Sequence, residues 1–128
     1  MERVNPPELG APAGFSHAVR AGGAVYLAGQ TALDAEGRIV GDGIVEQFER
    51  ALGNLLTALR AAGGEPEHLV SVTLYLVDIE DYRAHAREIG HVWRRLVGKH
   101  YPAMAALGIS RLWDAEALVE IQGVAHPG

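Results

Sequence analysis

The sequence contains no cysteine, and this absence excludes several kinds of site. A chain without thiols forms no disulfide, has no cysteine nucleophile and offers no thiolate to a metal ion. Basic residues are also few, with 11 Lys and Arg against 16 Asp and Glu, for a net charge of −5. Nucleic-acid binding needs a basic surface that neutralises phosphates, so we expect no nucleic-acid partner.

Long apolar runs are absent as well. A membrane-spanning helix needs about 20 predominantly apolar residues in succession, and the sequence has no such stretch. The opening residues, MERVNPP, lack the apolar segment of a secretory signal peptide. We therefore expect no membrane partner, and we expect the protein to be cytoplasmic.

The length and composition suit one domain. Of the 128 residues, 48% are hydrophobic, which is enough for a sizeable core. We expect residues 1–128 to form a single domain without internal repeats. Prolines lie near both ends, so residues 1–12 and 126–128 are expected to be loosely ordered tails.

Hydrophobic patterning predicts seven elements in the order β-β-α-β-α-β-β. Apolar residues at steps of three and four predict helices, and alternation of apolar and polar residues predicts strands. The predicted strands cover residues 15–20, 24–30, 68–77, 103–109 and 117–125, and the predicted helices lie within 45–59 and 78–98. Two helices can cover only one face of such a sheet.

The uncovered sheet face is expected to be partly apolar. It would carry Phe15, His17, Met104 or its neighbours, and Leu118 or Val119. An apolar face left in water is unfavourable, so we expect other copies of the chain to cover it. The sequence thus predicts an α+β domain with two helices on one face of its sheet, in a cyclic homo-oligomer with clefts between subunits.

Three segments resemble the signatures of the YjgF/Rid (reactive intermediate deaminase) family. They are GFSHAVRAGGAVYLAGQTALDAEGRIVG, VSVTLYLVDIEDYRAH and YPAMAALGISRLWDAEALVEIQGVA, which together run from about Gly14 to Ala125. The resemblance implies a chorismate-mutase-like fold with a mixed sheet, and a homotrimer with three sites at the subunit interfaces. It also implies hydrolysis of reactive imines and enamines without a cofactor or a metal.

The chain departs from this family where an anionic substrate would be held. Deaminating members carry Pro-Ala-Arg, and that arginine binds the substrate carboxylate through two hydrogen bonds. Here Ala103 matches, but Met104 stands in place of the arginine. Phe15 replaces a tyrosine, Ala28 a serine and Ala86 an asparagine. A cleft built from these residues would favour a less anionic, more apolar substrate.

Other positions keep the family pattern. Gly29, Gln30 and Glu120 match, and the carboxylate at the last position is implied to orient the attacking water. His17 stands where many members have glutamine, and we expect Glu120 and His17 to be the catalytic acid/base pair. Glu120 as a surface or ion-pairing residue, and His17 as an interface residue, remain alternatives. The expected substrate-binding residues are Phe15, Ala28, Gly29, Gln30, Ala86, Ala103 and Met104.

Two functions remain open at this point. The first is a trimeric enzyme that hydrolyses or tautomerises an imine or enamine metabolite, with weak or no activity on 2-iminopropionate because of Met104. The second is a non-catalytic trimer that binds a small ligand or acts like a chaperone. No histidine and carboxylate spacing indicates a metal site, and no Gly-x-Ser-x-Gly motif indicates a serine hydrolase.

Overall fold

The computed structural model describes all 128 residues of the chain. Its strands are β1 Glu2–Val4, β2 Ala18–Ala21, β3 Ala24–Gln30, β4 Leu69–Leu76, β5 Ala103–Gly108 and β6 Val119–Ala125. Its helices are α1 Ile44–Ala61, α2 Ile79–Ala84 and α3 Ala86–Leu96, with short 3-10 turns at Pro7–Leu9 and Pro66–His68. No helix is both long enough and apolar enough to span a membrane.

The strands form one six-stranded mixed sheet in the order β1-β2-β3-β6-β4-β5. All neighbours are antiparallel except β4 and β5, which are parallel. A parallel pair needs a crossover connection, and the segment carrying α2 and α3 provides it. α1 packs on β3 and β6, and α3 packs beside α1. The predicted α+β fold, with a mixed sheet and its helices on one face, is confirmed.

α1 forms the centre of the core because its apolar residues recur every three or four positions. Phe48, Leu52, Leu55 and Leu59 are fully buried between this helix and the sheet. The helix stops before Gly63, whose φ of 92° is a left-handed conformation that other residues rarely adopt.

A buried glutamine joins α1 to the segment that leads into β6. The Nε2 atom of Gln47 donates to the carbonyl oxygens of Gly41, at 3.3 Å, and Glu116, at 3.1 Å. Its Oε1 atom accepts a hydrogen bond of 2.8 Å from the backbone N–H of Leu118. One side chain thus fixes both the loop before α1 and the start of β6.

Gln47→Leu is expected to lower the free energy of unfolding by about 1–3 kcal/mol, because it leaves buried backbone groups without hydrogen-bond partners. Urea denaturation followed by circular dichroism measures this loss. Glu46→Leu, at the exposed neighbouring position, is the control and should change stability by about 0.5 kcal/mol or less. An equal loss in both variants would show that the Gln47 hydrogen bonds do not stabilise the fold.

The N-terminal residues are ordered, so the prediction of a loose tail over residues 1–12 is wrong. Glu2–Val4 pairs with β2, and Asn5 Oδ1 accepts a hydrogen bond from the backbone N–H of His17 at 2.8 Å. Three extended residues are too few for a recognisable alternation, and the free edge of β2 gives them their partners. Residues 126–128 lie outside the sheet, although the N–H of His126 donates to the carbonyl of His68.

Two predicted elements differ from the structure in detail. The strand predicted over residues 15–20 begins only at Ala18. The second predicted helix is divided at His85, whose backbone leaves the helical conformation while its ring bonds to the carbonyl of Asp81 at 2.8 Å. Asp78 caps the start of α2, since its Oδ1 atom accepts a hydrogen bond from the N–H of Asp81.

An irregularity near the start of β4 also changes the predicted side-chain directions. The register with β6 shifts between Leu69 and Ser71, so Leu69 is buried and Val70 is exposed. Strict alternation along the predicted strand 68–77 would place Val70 with the buried Val72, Leu74 and Leu76, and Leu69 on the opposite face. From Val72 onward the predicted apolar face is the buried face.

The face of the sheet opposite the helices is open. Alternation along the strands and the pairing register place Tyr26, Tyr75, Leu107, Glu120 and Gln122 on it. Tyr26 and Leu107 are about half exposed. The expectation of a partly apolar, uncovered face therefore holds, although Val119 is buried on the helix side.

Candidate functional site

Glu120, the second residue of β6, lies on the open face beside β3. A Cβ atom added to Gly29 would lie only 2.6 Å from Oε2 of Glu120. Any larger residue at position 29 would displace the carboxylate, so glycine is the residue that leaves room for it. The structure therefore brings together two of the residues that the sequence indicated.

A β-bulge in β3 shapes the surface next to this carboxylate. Leu27 lies opposite Gly123 and Gln30 lies opposite Ile121, so β3 has one more residue than β6 over this stretch. Ala28 and Gly29 occupy the bulge. Bulges change the direction of neighbouring side chains and are frequent beside active sites. We call Ala28, Gly29 and Glu120 the carboxylate half-site.

The environment of Glu120 favours its protonated form. Burial raises the pKa of this carboxyl above its ordinary value. No basic side chain forms an ion pair with it, since the ion pairs of the chain lie elsewhere. A carboxyl with a raised pKa takes up a proton more readily than an ordinary one and can return it, as acid/base catalysis requires.

The raised pKa of Glu120 predicts how the stability of the fold depends on pH. The folded chain holds the proton of Glu120 at pH values where the unfolded chain, with the ordinary pKa of 4.5, has lost it. The stabilisation from this proton is complete below the unfolded pKa and is lost as the pH rises through the folded pKa.

Glu120→Gln should therefore raise the free energy of unfolding at about pH 7 and leave it nearly unchanged at about pH 4. The gain should stay below about 1 kcal/mol because solvent still reaches the half-exposed carboxyl. Urea denaturation of both proteins at equal concentration measures it. A variant that is less stable at neutral pH would show that the carboxylate is stabilised in the fold, contrary to its raised pKa.

His17 does not face Glu120, and the predicted acid/base pair is not assembled in the chain. The ring is buried, with 5% exposed. Its Nε2 atom lies 3.2 Å from the carbonyl oxygen of Gly10, and its Nδ1 atom lies 3.1 Å from Nε2 of Gln30. The carbonyl only accepts, so Nε2 carries the proton and Nδ1 accepts from the amide. Neither ring nitrogen is free to act on a substrate.

The position of His17 follows from where β2 begins. Because the strand starts at Ala18, the alternation that had placed His17 on the open face does not extend back to it. Phe15 is 52% exposed, and its ring meets the His17 ring edge-on at 5.2 Å. Gln30, which was expected among the substrate-binding residues, is buried in the single chain, and its amide contacts the His17 ring.

Met104 and Ala86 meet in a separate groove between β5 and the helices. Met104 pairs in register with Val72, which places its side chain on the helix side, while Ala103 and Ala105 face the open side. The groove has a volume of about 190 Å³. Its lining residues are Phe48, Tyr82, Ala86, Ile89, Gly90, Trp93, Tyr101 and Met104. We call this set the apolar groove.

The apolar groove contains no charged side chain that could hold a carboxylate. Arg111, which lies seven residues after Met104, is engaged in its own loop. Its Nε atom donates to the carbonyl of Leu112 at 3.0 Å, and Nη2 donates to the carbonyl of Trp113 at 3.1 Å. No cluster of three or more metal-ligating side chains occurs in the chain.

The two groups of site residues lie apart in one chain. β4 separates β6, which carries Glu120, from β5, which carries Met104. The first side chain faces the open side and the second faces the helix side. The aromatic lining of the groove was not predicted, because it combines single residues from four separate segments. A single site containing both groups requires a second copy of the chain.

Comparison with known proteins matches the whole domain. A family model described as endoribonuclease L-PSP covers residues 6–127. A RutC family protein of Pyrococcus abyssi is 33% identical over 88% of this chain and 85% of its own length. The 2-iminobutanoate/2-iminopropanoate deaminase of Capra hircus is 34% identical over 89% of this chain and 80% of its own length. The crystal structure of RidA from a Psychrobacter species has a TM-score of 0.85 at 25% identity, covering 98% of this chain and 99% of that one.

Proposed function

Because the chain belongs to the YjgF/Rid family, whose model is described as endoribonuclease L-PSP, we propose that it is an enzyme acting on imine or enamine metabolites. The relatives named 2-iminobutanoate/2-iminopropanoate deaminase support this class of reaction. The observation that carries the proposal is Glu120, a carboxyl with a raised pKa that faces the open side beside Gly29. The Glu120 side chain forms no ion pair within the chain.

In the proposed reaction, water adds to the carbon of the C=N bond. The imine nitrogen enters the reaction protonated by solvent, and the Glu120 carboxylate accepts one proton from the water as the new C–O bond forms. Glu120 then returns this proton to the nitrogen of the tetrahedral intermediate. The C–N bond breaks and ammonia leaves, while the hydroxyl group releases its proton to solvent as the C=O bond forms. The products are a carbonyl compound and ammonia, the reaction consumes one water and needs no cofactor, and the Glu120 carboxylate is regenerated.

The apolar groove sets the proposed substrate class. Its aromatic and aliphatic lining favours an apolar side chain, and it offers no cation to a substrate carboxylate. We infer that the substrate is uncharged or weakly anionic. Met104 lines the groove in the place where deaminating members are implied to have their carboxylate-binding arginine.

The proposed assembly is a homotrimer. The open face carries exposed Tyr26 and Leu107, and a second copy that covers this face removes them from water. It also joins the carboxylate half-site of one copy to the apolar groove of the next, which one chain cannot do. Cyclic symmetry then gives three equal clefts.

Ribonuclease activity, which the description of the family model names, has no support in the charge of this chain. Its net charge is −5, and phosphate backbones bind to surfaces rich in Lys and Arg. The carboxylate half-site and the apolar groove add no basic side chain.

The proposed function is tested by turnover and sedimentation together. Amino-acid oxidases generate imines from a panel of amino acids, and release of ammonia above the spontaneous rate is measured with and without the protein. We expect acceleration for imines with apolar side chains, and sedimentation at three times the 13.7 kDa of one chain. A 13.7 kDa species at micromolar concentration would overturn the trimer. Ligand binding without acceleration would support the non-catalytic alternative.

A further inference from the structure

Trp113 is the most exposed large hydrophobic residue of the chain. Its side chain is 95% exposed, whereas Trp93, the other tryptophan, is buried. An indole exposes one of the largest apolar surfaces of any side chain, and removing that surface from water is favourable. Tryptophan is enriched among the residues that contribute most to protein–protein interfaces.

The loop that carries Trp113 is held in place by its neighbours. Leu112 is buried, and Arg111 donates to the carbonyl oxygens of Leu112 and Trp113. Gln47 binds the same loop at Glu116. The indole is therefore presented from a fixed backbone, so little conformational entropy is lost when it binds.

The apolar groove is the matching surface on the same molecule. Its volume of about 190 Å³ is smaller than the roughly 300–1,000 Å³ of pockets that enclose a small molecule. Its rim is open where Met104 is 44% exposed and Tyr101 is 63% exposed. Trp113 of the same chain does not line it. The groove thus lacks a wall, and the chain has an aromatic side chain without a partner.

We propose that Trp113 of one subunit covers the apolar groove of the next and forms its missing wall. The contact joins two different surfaces, so it repeats from one copy to the next, and in the proposed trimer it closes after three copies. The inference rests on the trimer of the proposed function. The same loop leads directly into β6, so one copy delivers Trp113 and Glu120 together to the groove of its neighbour.

This arrangement defines the substrate's apolar part more narrowly. A flat or branched hydrocarbon group would lie between the indole and the thioether of Met104, both of which make favourable contacts with apolar and aromatic groups. The imine carbon would lie at the end of the groove that faces Glu120. Trp113 is then a specificity-determining residue rather than a catalytic one.

The absence of cysteine in the chain permits a direct test by cross-linking. Ala86→Cys places a thiol on the groove, and Ala115→Cys places one on the loop two residues after Trp113; both alanines are exposed. The two variants are mixed, unfolded, refolded together and treated with a short bifunctional maleimide. Ala61→Cys, at an exposed alanine at the end of α1, replaces Ala86→Cys in the control mixture.

We expect covalent dimers on a denaturing gel from the Ala86/Ala115 mixture and only background dimers from the control. Replacing Trp113 by alanine in the Ala115→Cys chain should reduce the yield, and Trp113→Phe should largely retain it. If no cross-link forms, sedimentation of the same samples distinguishes the two possible causes. A trimer without the cross-link overturns the placement of Trp113 and leaves the proposed function standing. A monomer overturns both.

Discussion

Glu120→Gln is expected to lower the turnover of an imine substrate by at least about 100-fold, because general acid/base catalysis contributes about 100- to 10,000-fold. The amide has nearly the same shape as the carboxyl but cannot take up the proton of the attacking water. The amide occupies the same space beside Gly29 as the carboxyl, so the fold and the assembly should be unchanged. The measurement is kcat and KM for ammonia release, with sedimentation of the same sample.

Glu116→Gln is the matched control for this experiment. Glu116 is exposed, lies four residues before Glu120 and carries the same charge. Its replacement should leave kcat within about two-fold of the parent, since the variant removes a charge but no proton acceptor of the site. If Glu120→Gln keeps full activity, Glu120 is a structural residue and the reaction proposed here is wrong.

Met104→Arg is expected to raise kcat/KM for 2-iminopropionate. A hydrogen bond between charged groups contributes about 1.5–3 kcal/mol, so the missing arginine should account for about a 10- to 150-fold deficit. The variant should recover part of this. Adding Phe15→Tyr to this variant should raise kcat/KM further. Ala86 lines the same groove, so Ala86→Asn would place a polar group that supports the new guanidinium.

Two further variants separate charge from geometry at this position. Met104→Lys supplies a cation that cannot form the paired hydrogen bonds, and Met104→Leu supplies neither. The expected order of kcat/KM is Arg, then Lys, then Leu and the parent. Without an anion the new cation lies in an apolar groove, so the arginine variant should be less stable until ligand binds.

The parent protein itself provides the strongest test of this account. If it already matches arginine-bearing relatives on 2-iminopropionate, another group must hold the carboxylate. Arg111 is then the first residue to replace, although its guanidinium is engaged by its own loop in the single chain.

The sequence predicted the elements whose patterns are long. α1 and β3 were anticipated closely, because an 18-residue amphipathic helix and a strand that follows a Gly-Gly turn leave little ambiguity. β1 was missed, because three residues cannot show a period. The direction of Leu69 was missed because a register shift is a property of two paired strands, and only one of them is read at a time.

The candidate site was likewise predicted only in part. The resemblance placed Glu120, Gly29, Met104 and Ala86 in a site, and the structure brings each pair together. It does not bring His17 to Glu120, because hydrogen bonds to Gly10 and Gln30 hold the ring inside. Those contacts span seven and thirteen residues of chain and leave no local pattern. No pattern in the sequence indicated that β4 separates the pair Glu120 and Gly29 from the pair Met104 and Ala86.

The exposed strand β5 affects the folding of the newly synthesised chain. It lies at the edge of the sheet, all six of its residues, Ala-Met-Ala-Ala-Leu-Gly, are exposed, and none is charged. Proteins usually protect such an edge with charges, prolines or a covering element, because it can pair with any other strand. Until this edge is covered, a newly synthesised chain can aggregate through it. If the interface of the proposed trimer reaches β5, assembly protects the chain as well as completing the cleft.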